Sequence, residues 1–261
     1  MKLPDRLLIT MKQPSVFEKY AHEYDLLTNA AQREKNHARE VEKLINRFHP
    51  ASVLDAGCAT GLTSMIFARQ GIKTVGLDRS RKMLEQARKK YGSVDYPLTF
   101  RFGQFEKLPR NLHGSFDLIV CLANAIAGVR TRSALNTSMK GFFNLLQPGG
   151  HLVLQLLNYK ALKEGEVMPI RATSNDGIVY IRYSIRQGSR LAMHVVRMNM
   201  NDSPISFEPF VTEFDNFDVD VVLRAVKKVG FIQTRQFGNL LLDKRFSKST
   251  RDLVIVAGRP R

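Results

Sequence analysis

The residues best suited to chemistry are an acidic residue and the glycine-rich turn that follows it. Residues 53–61 read VLDAGCATG, so an apolar run ends at Asp55, and a turn containing Gly57 and Gly61 leads into a helical pattern. In open α/β sheets a small molecule binds at such a strand-to-helix turn. A dinucleotide would place its pyrophosphate beside this turn and the helix N-terminus, where the carboxylate of Asp55 would repel it. The sequence therefore predicts a ligand that carries positive charge.

Three later segments fall where the same sheet would add contacts to this ligand. Asp78 ends a second apolar run, about 20 residues beyond the turn, where an acid can accept both hydroxyl groups of a ribose. A helix cap supported by Ser80 is the alternative for Asp78. Residues 103–109 (GQFEKLP) follow the third apolar run, and the fourth run, 116–122 (FDLIVCL), opens into the loop 123–126.

The elements that must position these residues alternate between strands and helices. This alternation predicts an α/β fold with a Rossmann-like, mostly parallel sheet and helices on both faces. After residue 158 the pattern changes, because 178–186 and 191–200 alternate around a turn and predict an inserted antiparallel hairpin. The predicted strands are 52–55, 73–78, 98–103, 116–122, 150–157, 231–237 and 252–258, and the predicted helices are 60–70, 80–91, 132–146 and 218–229.

Composition narrows the class of protein. The chain has 261 residues, 44% hydrophobic, which is enough for a sizeable core, and no apolar run approaches the roughly 20 residues of a membrane span. The N-terminus lacks the clean apolar segment of a signal peptide, and the two cysteines, Cys58 and Cys121, predict free thiols in a reducing cytoplasm. No Cys/His spacing indicates a metal site. The net charge of +16 is dispersed and predicts either a generally basic surface or a site for a polyanion.

The order of these segments, with LQPGG at 146–150 before the fifth strand, resembles class I S-adenosylmethionine (SAM)-dependent methyltransferases. Within that superfamily, CLANA at 121–125 and LQLLNY at 154–159 resemble glycine/sarcosine N-methyltransferases and related small-molecule enzymes. In this group the last strand of the sheet is antiparallel. Two residues depart from the family pattern: Ala59 replaces a frequent glycine of the first motif, and Gln104 replaces the commoner acid of the third.

The resemblance implies SAM as cofactor and S-adenosylhomocysteine as product. It implies Tyr24 and Asn124 as catalytic residues that contact the substrate. The implied cofactor-binding residues are Tyr20, Tyr24, Asp55, Gly57, Cys58, Ala59, Gly61, Asp78, Arg79, Met83, Gln104, Phe105, Cys121 and Leu122. The predicted substrate-binding residues are Asn124 and Asn158, together with two residues of the inserted region: Arg182, which could bind a carboxylate or phosphate, and His194, which could act as a base.

Each of these assignments has a structural alternative. Tyr20 and Tyr24 could simply pack between helices, and Asn124 could be an ordinary turn residue. His194 could be structural, and Arg182 could lie on a solvated face that it shares with Arg186. Some RNA cytosine methyltransferases use a cysteine at the position of Cys121, but its apolar neighbours favour a core role.

We predict methyl transfer to nitrogen or oxygen of a small molecule, with an anion as one option. The alternatives are an RNA or other macromolecule methyltransferase that uses the basic surface, and a SAM-binding protein without catalysis. The predicted division is an N-terminal helical cap at 1–50, with weak structure up to residue 14, a SAM-binding core at 51–158, a lid at 159–215 and completion of the core at 216–261.

Overall fold

The structure is a computed structural model that describes residues 15–93, 95–158, 161–168, 171–188, 190–215 and 217–261. The segment 1–14, for which the sequence predicts weak structure, lies outside the described residues. The helices are α1 (Val16–Lys19), α2 (Tyr24–Leu27), α3 (Ala30–Phe48), α4 (Leu62–Arg69), α5 (Arg81–Tyr91), α6 (Arg132–Leu145) and α7 (Val219–Lys228). The strands are β1 (Ser52–Ala56), β2 (Lys73–Asp78), β3 (Leu98–Phe102), β4 (Phe116–Cys121), β5 (Leu146–Leu157), β6 (Arg171–Asn175), β7 (Ile178–Gln187), β8 (Arg190–Asn199), β9 (Ser206–Asp215), β10 (Ile232–Phe237) and β11 (Asp252–Gly258).

Seven of the strands form one sheet in the order β10-β11-β5-β4-β1-β2-β3. Strand β1 runs parallel to β2 and β4, whereas β11 runs antiparallel to β5 and β10. The mostly parallel sheet with an antiparallel last strand is therefore confirmed. The strand order reverses between β1 and β4, and the crevice at the carboxyl ends of these two strands is where such sheets bind ligands.

Apolar layers cover both faces of this sheet, because its central strands are apolar at successive positions. Along β4, Leu118 and Val120 belong to the layer beneath α3 and α4. Ile119 and Cys121 belong to the layer beneath α6. Two buried layers hold the strands rigidly, so the loops at their carboxyl ends have fixed starting points.

The inserted region is larger than the sequence predicts. The predicted hairpin is present as β7 and β8, and β6 and β9 extend it to a four-stranded antiparallel sheet. Strand β6 is polar (RATSN) and β9 contains Pro209, so neither gives a clean alternating pattern. One face of this lid sheet packs on the N-terminal helices through Tyr180, Val195 and Phe210.

Two features of the described residues bear on function. No helix among them is both apolar and long enough to span a bilayer. Within the same part of the chain, no cluster of three or more His, Cys, Asp and Glu side chains could hold a metal ion.

Candidate active site

The turn after β1 bends back over β2. The backbone amides of Gly57 and Cys58 both donate to the Leu77 carbonyl, at 2.7 and 3.1 Å. Gly57 has a φ of +85°, and a Cβ atom there would lie 2.6 Å from the Cβ of Ala125 and 3.4 Å from the ring of Phe105. Both the positive φ and the lack of room for a Cβ atom require glycine at this position. Because glycine has no side chain, the loops after β3 and β4 can close against the turn.

Two acidic side chains face this turn. Asp55 is 3% exposed and accepts a hydrogen bond of 2.6 Å from the Ser64 hydroxyl. Burial raises its pKa to about 6, and the charge of Asp78 contributes to the rise. Asp78 accepts from the Ala59 amide at 2.9 Å and the Ser80 amide at 2.8 Å, and burial raises its pKa as well. A ligand with positive charge would stabilise both carboxylates.

The helix-cap alternative for Asp78 is only part of its role. Ser80 is the N-cap of α5, and its hydroxyl accepts from the Met83 amide at 3.2 Å. Asp78 fixes Ser80 through the backbone, and its second oxygen fixes Ala59 in the turn. Ala59 itself has a φ of +49°. The carboxylate therefore joins the glycine-rich turn to the start of α5.

The loop after β3 brings an aromatic ring to the turn. Phe105 contacts Phe142 edge to face, with ring centroids 5.4 Å apart. Gln104 is exposed, and Met83 is buried in the first turn of α5. Arg79 donates to the Gly128 carbonyl at 3.2 Å, across the mouth of the crevice. The roles of these residues toward a cofactor stay predictions.

The loop after β4 has an unusual backbone. Ala123 and Asn124 have φ values of +51° and +63°, a conformation that is strained for residues other than glycine. The Ala123 amide donates to the side-chain oxygen of Gln155 at 3.0 Å, and the Leu157 amide donates to that of Asn124 at 3.1 Å. Strain held by surrounding hydrogen bonds is characteristic of functional loops.

The two cysteines are free and buried. Burial raises the pKa of the Cys58 thiol and of the Cys121 thiol well above the usual range, and the charge of Asp55 adds to both shifts. Cys121 is 0% exposed within the apolar layer beneath α6. A thiol in that state is a poor nucleophile, which argues against the RNA cytosine methyltransferase alternative.

The N-terminal helices lie over the turn and are held there by polar contacts. Asp25 accepts from the Thr60 hydroxyl and from Lys90, both at 2.7 Å. Beside it, burial raises the pKa of Tyr24, the nearby Arg33 opposes this shift, and the charge of Asp78 adds to it. Tyr24 is therefore a neutral phenol within electrostatic reach of Asp78. Sequence reasoning missed Asp25, whose role depends on how the helices dock.

Tyr20 faces the lid sheet instead of the turn. Its hydroxyl donates to Glu208, its ring meets Phe210 edge to face at 5.9 Å, and Arg197 lies 4.3 Å above the ring. Arg197 also binds Glu23 through two hydrogen bonds of 2.7 and 2.8 Å. These contacts fasten the helices to the lid. They do not support the prediction that Tyr20 binds the cofactor.

Arg182 of β7 lies on the lid face that packs toward the helices. Its Nε atom is buried and has no hydrogen-bond partner among the described residues. Burial lowers the pKa of its guanidinium, and the charges of three other arginines lower it further, while Tyr24 opposes them. These three arginines are Arg171, the cross-strand partner of Arg182 on β6, and Arg33 and Arg251.

His194 lies on the opposite face of the lid sheet from Arg182, so the structure does not support the prediction that both residues bind the substrate. In the register of β7 and β8, Arg182 pairs with Val195, whereas His194 pairs with Tyr183. Successive residues of a strand point to opposite faces, so His194 lies on the outer face of the lid. Its ring stacks on Tyr183 at 4.8 Å.

Asn158 is buried and used within the protein. Its side-chain amide donates to the carbonyl groups of Lys248 and Thr250, at 3.1 and 2.8 Å, and more weakly to Ser247 at 3.4 Å. The side chain therefore holds the segment before β11. These contacts do not support the prediction that Asn158 binds the substrate.

A cavity of about 240 Å³ opens at the carboxyl ends of β4 and β5. Sequence reasoning missed three of its polar side chains, because Gln155, Arg251 and Asp252 resemble ordinary strand residues. A separate cavity of about 420 Å³ lies outside Phe105, against α6. The smaller cavity is lined by Ala123, Asn124, Gln155, Leu156, Leu157, Arg251 and Asp252.

Comparisons with known proteins agree with this geometry. The family model described as a methyltransferase domain matches residues 53–150. The chain is 24% identical over 246 residues to a glycine/sarcosine N-methyltransferase of Parasynechococcus marenigrum, covering 88% of this chain and 80% of that protein. It is 28% identical over 120 residues to human glycine N-methyltransferase, covering 41% of each.

Solved structures share the fold. A SAM-dependent methyltransferase from Clostridium acetobutylicum superposes with a TM-score of 0.74 at 17% identity, covering 94% of this chain and 99% of that one. A SAM-bound amino pentose methyltransferase from Micromonospora echinaspora superposes with a TM-score of 0.71 at 23% identity, covering 89% and 96%.

Residues 53–150 therefore match a methyltransferase domain, and the sheet and the crevice support a class I SAM-dependent methyltransferase. SAM is bound in the structurally similar amino pentose methyltransferase. The residues fit that molecule, because a turn without a Cβ leaves room for a close ligand and two buried carboxylates attract an ammonium and a sulfonium.

Proposed function

We propose that the protein transfers the methyl group of SAM to a nitrogen or oxygen atom of a small anionic molecule. The observation that carries the anionic part is the buried Nε of Arg182, which has no hydrogen-bond partner within the described part of the chain. Small-molecule acceptors are also named for its relatives, which include glycine/sarcosine N-methyltransferases, and for the structurally similar amino pentose methyltransferase.

The cofactor side of the crevice uses the residues around the glycine turn. Asp78 accepts the ribose hydroxyls, while Phe105 and Met83 border the adenosine. The turn from Gly57 to Gly61 and the backbone at Leu122 border the methionine end. Tyr24 closes over the methyl group, and Asn124 holds the acceptor opposite it. Methyl transfer from a sulfonium needs alignment and exclusion of water more than covalent help from the protein.

Charge on the acceptor side supports an anion. A partly buried guanidinium whose pKa is lowered by burial and by three neighbouring arginines is unfavourable unless an anion binds among them. A guanidinium pairs with a carboxylate or phosphate through two parallel hydrogen bonds, and such bonds are among the strongest in proteins. The Nε of Arg182 is one donor suited to such a pair. The net charge of +16 would attract small anions over a longer range.

The experiment compares Arg182→Met with wild type in an assay of S-adenosylhomocysteine formation. The acceptors are matched pairs with and without negative charge: glycine with glycinamide, and glucosamine 6-phosphate with glucosamine. Losing a desolvated charged partner costs about 2–5 kcal/mol, so we expect kcat/KM for the anionic acceptor to fall by about 30-fold or more. The affinity for S-adenosylhomocysteine should not change.

Arg190→Met is the matched control, because Arg190 is on the same sheet, is 57% exposed in its side chain and pairs with Glu213. Arg190→Met should keep the wild-type kcat/KM for the anionic acceptor and the wild-type affinity for S-adenosylhomocysteine. Equal use of charged and neutral acceptors by the wild type would refute the anionic site while leaving methyl transfer intact.

A further inference from the structure

A carboxylate lines the same cavity as Asn124 and Arg251. Asp252 is the first residue of β11 and pairs with Leu157, the last residue of β5. It therefore sits at the edge of the sheet where the loop after β4 begins. Its side chain is partly buried. A carboxylate in this position can contact an acceptor that enters the cavity beside Asn124.

One side chain joins the wall of the cavity to the strained loop. Gln155 lines the cavity together with Asp252, and its side-chain oxygen accepts from the Ala123 amide at 3.0 Å. Gln155 therefore holds the loop of Asn124 against the wall that contains Asp252. This arrangement suits a group that must be aligned with the reacting atoms to within a fraction of an ångström.

The charge of Asp252 also acts on a second carboxylate. Glu40 of α3 is partly buried, and burial together with the charge of Asp252 raises its pKa to about 7. Burial also raises the pKa of Asp252, while Arg251 and the hydrogen bond from Gln155 oppose the shift. Among the described residues, neither carboxylate forms an ion pair with a lysine or arginine. Two such carboxylates are costly unless a cation or a proton is shared between them.

We propose that Asp252 accepts the proton of an amine on the acceptor. This inference rests on the proposed function and selects nitrogen over oxygen. The acceptor then carries an ammonium at Asp252 and an anion at Arg182 and Arg251. The cavity presents both signs of charge to such a zwitterion, because Arg251 and Asp252 both line it.

The proton step is needed because an ammonium has no lone pair. The proton passes from the ammonium nitrogen to a carboxylate oxygen of Asp252, and the nitrogen regains its lone pair. That pair forms the bond to the methyl carbon as the carbon–sulfur bond breaks, its electrons staying on sulfur as a neutral thioether. The methylated nitrogen leaves as an ammonium, and Asp252 later releases its proton to water.

The test uses acceptors in which the amine and the anion are varied independently, and in the first set the compounds are also of nearly equal size. One set is glycine, glycolate, glycinamide and glycolamide, and the other is glucosamine 6-phosphate, glucose 6-phosphate, glucosamine and glucose. For wild type, methyl transfer should require the amine, and kcat/KM should rise with pH as Asp252 loses its proton. Formation of S-adenosylhomocysteine reports the rate, and its separate binding reports whether the cofactor site is intact.

Three variants distinguish a proton acceptor from a structural group. Asp252→Asn should lower kcat about 100-fold near pH 7, with little change in KM, and its rate should recover tenfold per pH unit as free amine becomes available. Glu40→Gln should keep activity and leave the acidic limb of the pH profile in place, because the raised pKa of Asp252 is caused by its burial and not by Glu40. Glu42→Gln, an exposed neighbour on the same helix, should match wild type.

The outcomes separate this inference from the proposed function. Transfer to glycolate or glucose 6-phosphate, but to no amine, would refute the role of Asp252 and leave the anionic methyltransferase standing. Transfer to glycinamide and glucosamine as readily as to glycine and glucosamine 6-phosphate would refute the anionic site and leave the role of Asp252 standing. An unchanged pH profile in Asp252→Asn would also refute the inference. Transfer to none of the compounds, with S-adenosylhomocysteine bound normally, would overturn both proposals.

Discussion

Replacing Gly57 with alanine tests how closely the loops around the crevice pack. Gly57 has a φ of +85°, and the new Cβ would lie 2.6 Å from the Cβ of Ala125. The left-handed backbone costs about 1–2 kcal/mol for an L-residue, and overpacking adds about 1–3 kcal/mol. We therefore expect Gly57→Ala to lower the free energy of unfolding by about 2–5 kcal/mol in urea titrations, and to weaken S-adenosylhomocysteine binding at least tenfold.

Two further variants separate the two costs. Gly71 has a φ of +76°, and a Cβ atom there would have no neighbour within 4 Å among the residues that the structure describes. Gly71→Ala should therefore show the backbone cost alone, about 1–2 kcal/mol. Adding Ala125→Gly to Gly57→Ala removes the contact and should restore about 1–3 kcal/mol. Equal losses in Gly57→Ala and Gly71→Ala, with no rescue by Ala125→Gly, would refute the packing of Ala125 against the turn.

The remaining predictions concern one acid and one amide. Burial raises the pKa of Asp55 to about 6 from an ordinary value of 3.8, so the native state binds the proton more tightly than the unfolded state, and its stability falls as pH rises from about 4 past 6. Asp55→Asn should remove this decline, which is worth up to about 3 kcal/mol at pH 8, and should weaken SAM binding. An unchanged pH dependence of the urea midpoint in the variant would contradict the raised pKa of Asp55. Asn158→Ala leaves buried carbonyl groups unpaired and should cost about 1–3 kcal/mol of stability without changing KM for the acceptor; a change in KM alone would restore its predicted role at the substrate.

The core of the fold was predictable because its strands are buried on both faces. The run 116–121 is apolar at all but one position, and 73–78 is buried at its four central positions, while the glycines and acids that follow or end these runs mark the turns. The positions of Asp55, Gly57 and Asp78 at adjacent strand ends follow from that alternation alone. The polar strand β6 carries no comparable signal, so the sequence predicts a smaller lid than the one observed.

The N-terminal helices were less predictable because their path is broken. Tyr20 and Tyr24 are four residues apart, a spacing that would place them on one face of a continuous helix. The segment instead divides into α1, a 3₁₀ turn at 21–23 and α2, and Asn29 with a φ of +54° starts α3. Tyr20 therefore faces the lid and Tyr24 the crevice. The spacing contained no sign of these breaks.

The most direct test of the central claim is calorimetric titration of the protein with S-adenosylhomocysteine and, separately, with NAD. The account predicts saturable heat with S-adenosylhomocysteine, at a dissociation constant of roughly micromolar order. It predicts no heat of binding with NAD, because Asp55, near the end of β1, repels a pyrophosphate. Saturable binding of NAD that S-adenosylhomocysteine cannot displace would contradict the account.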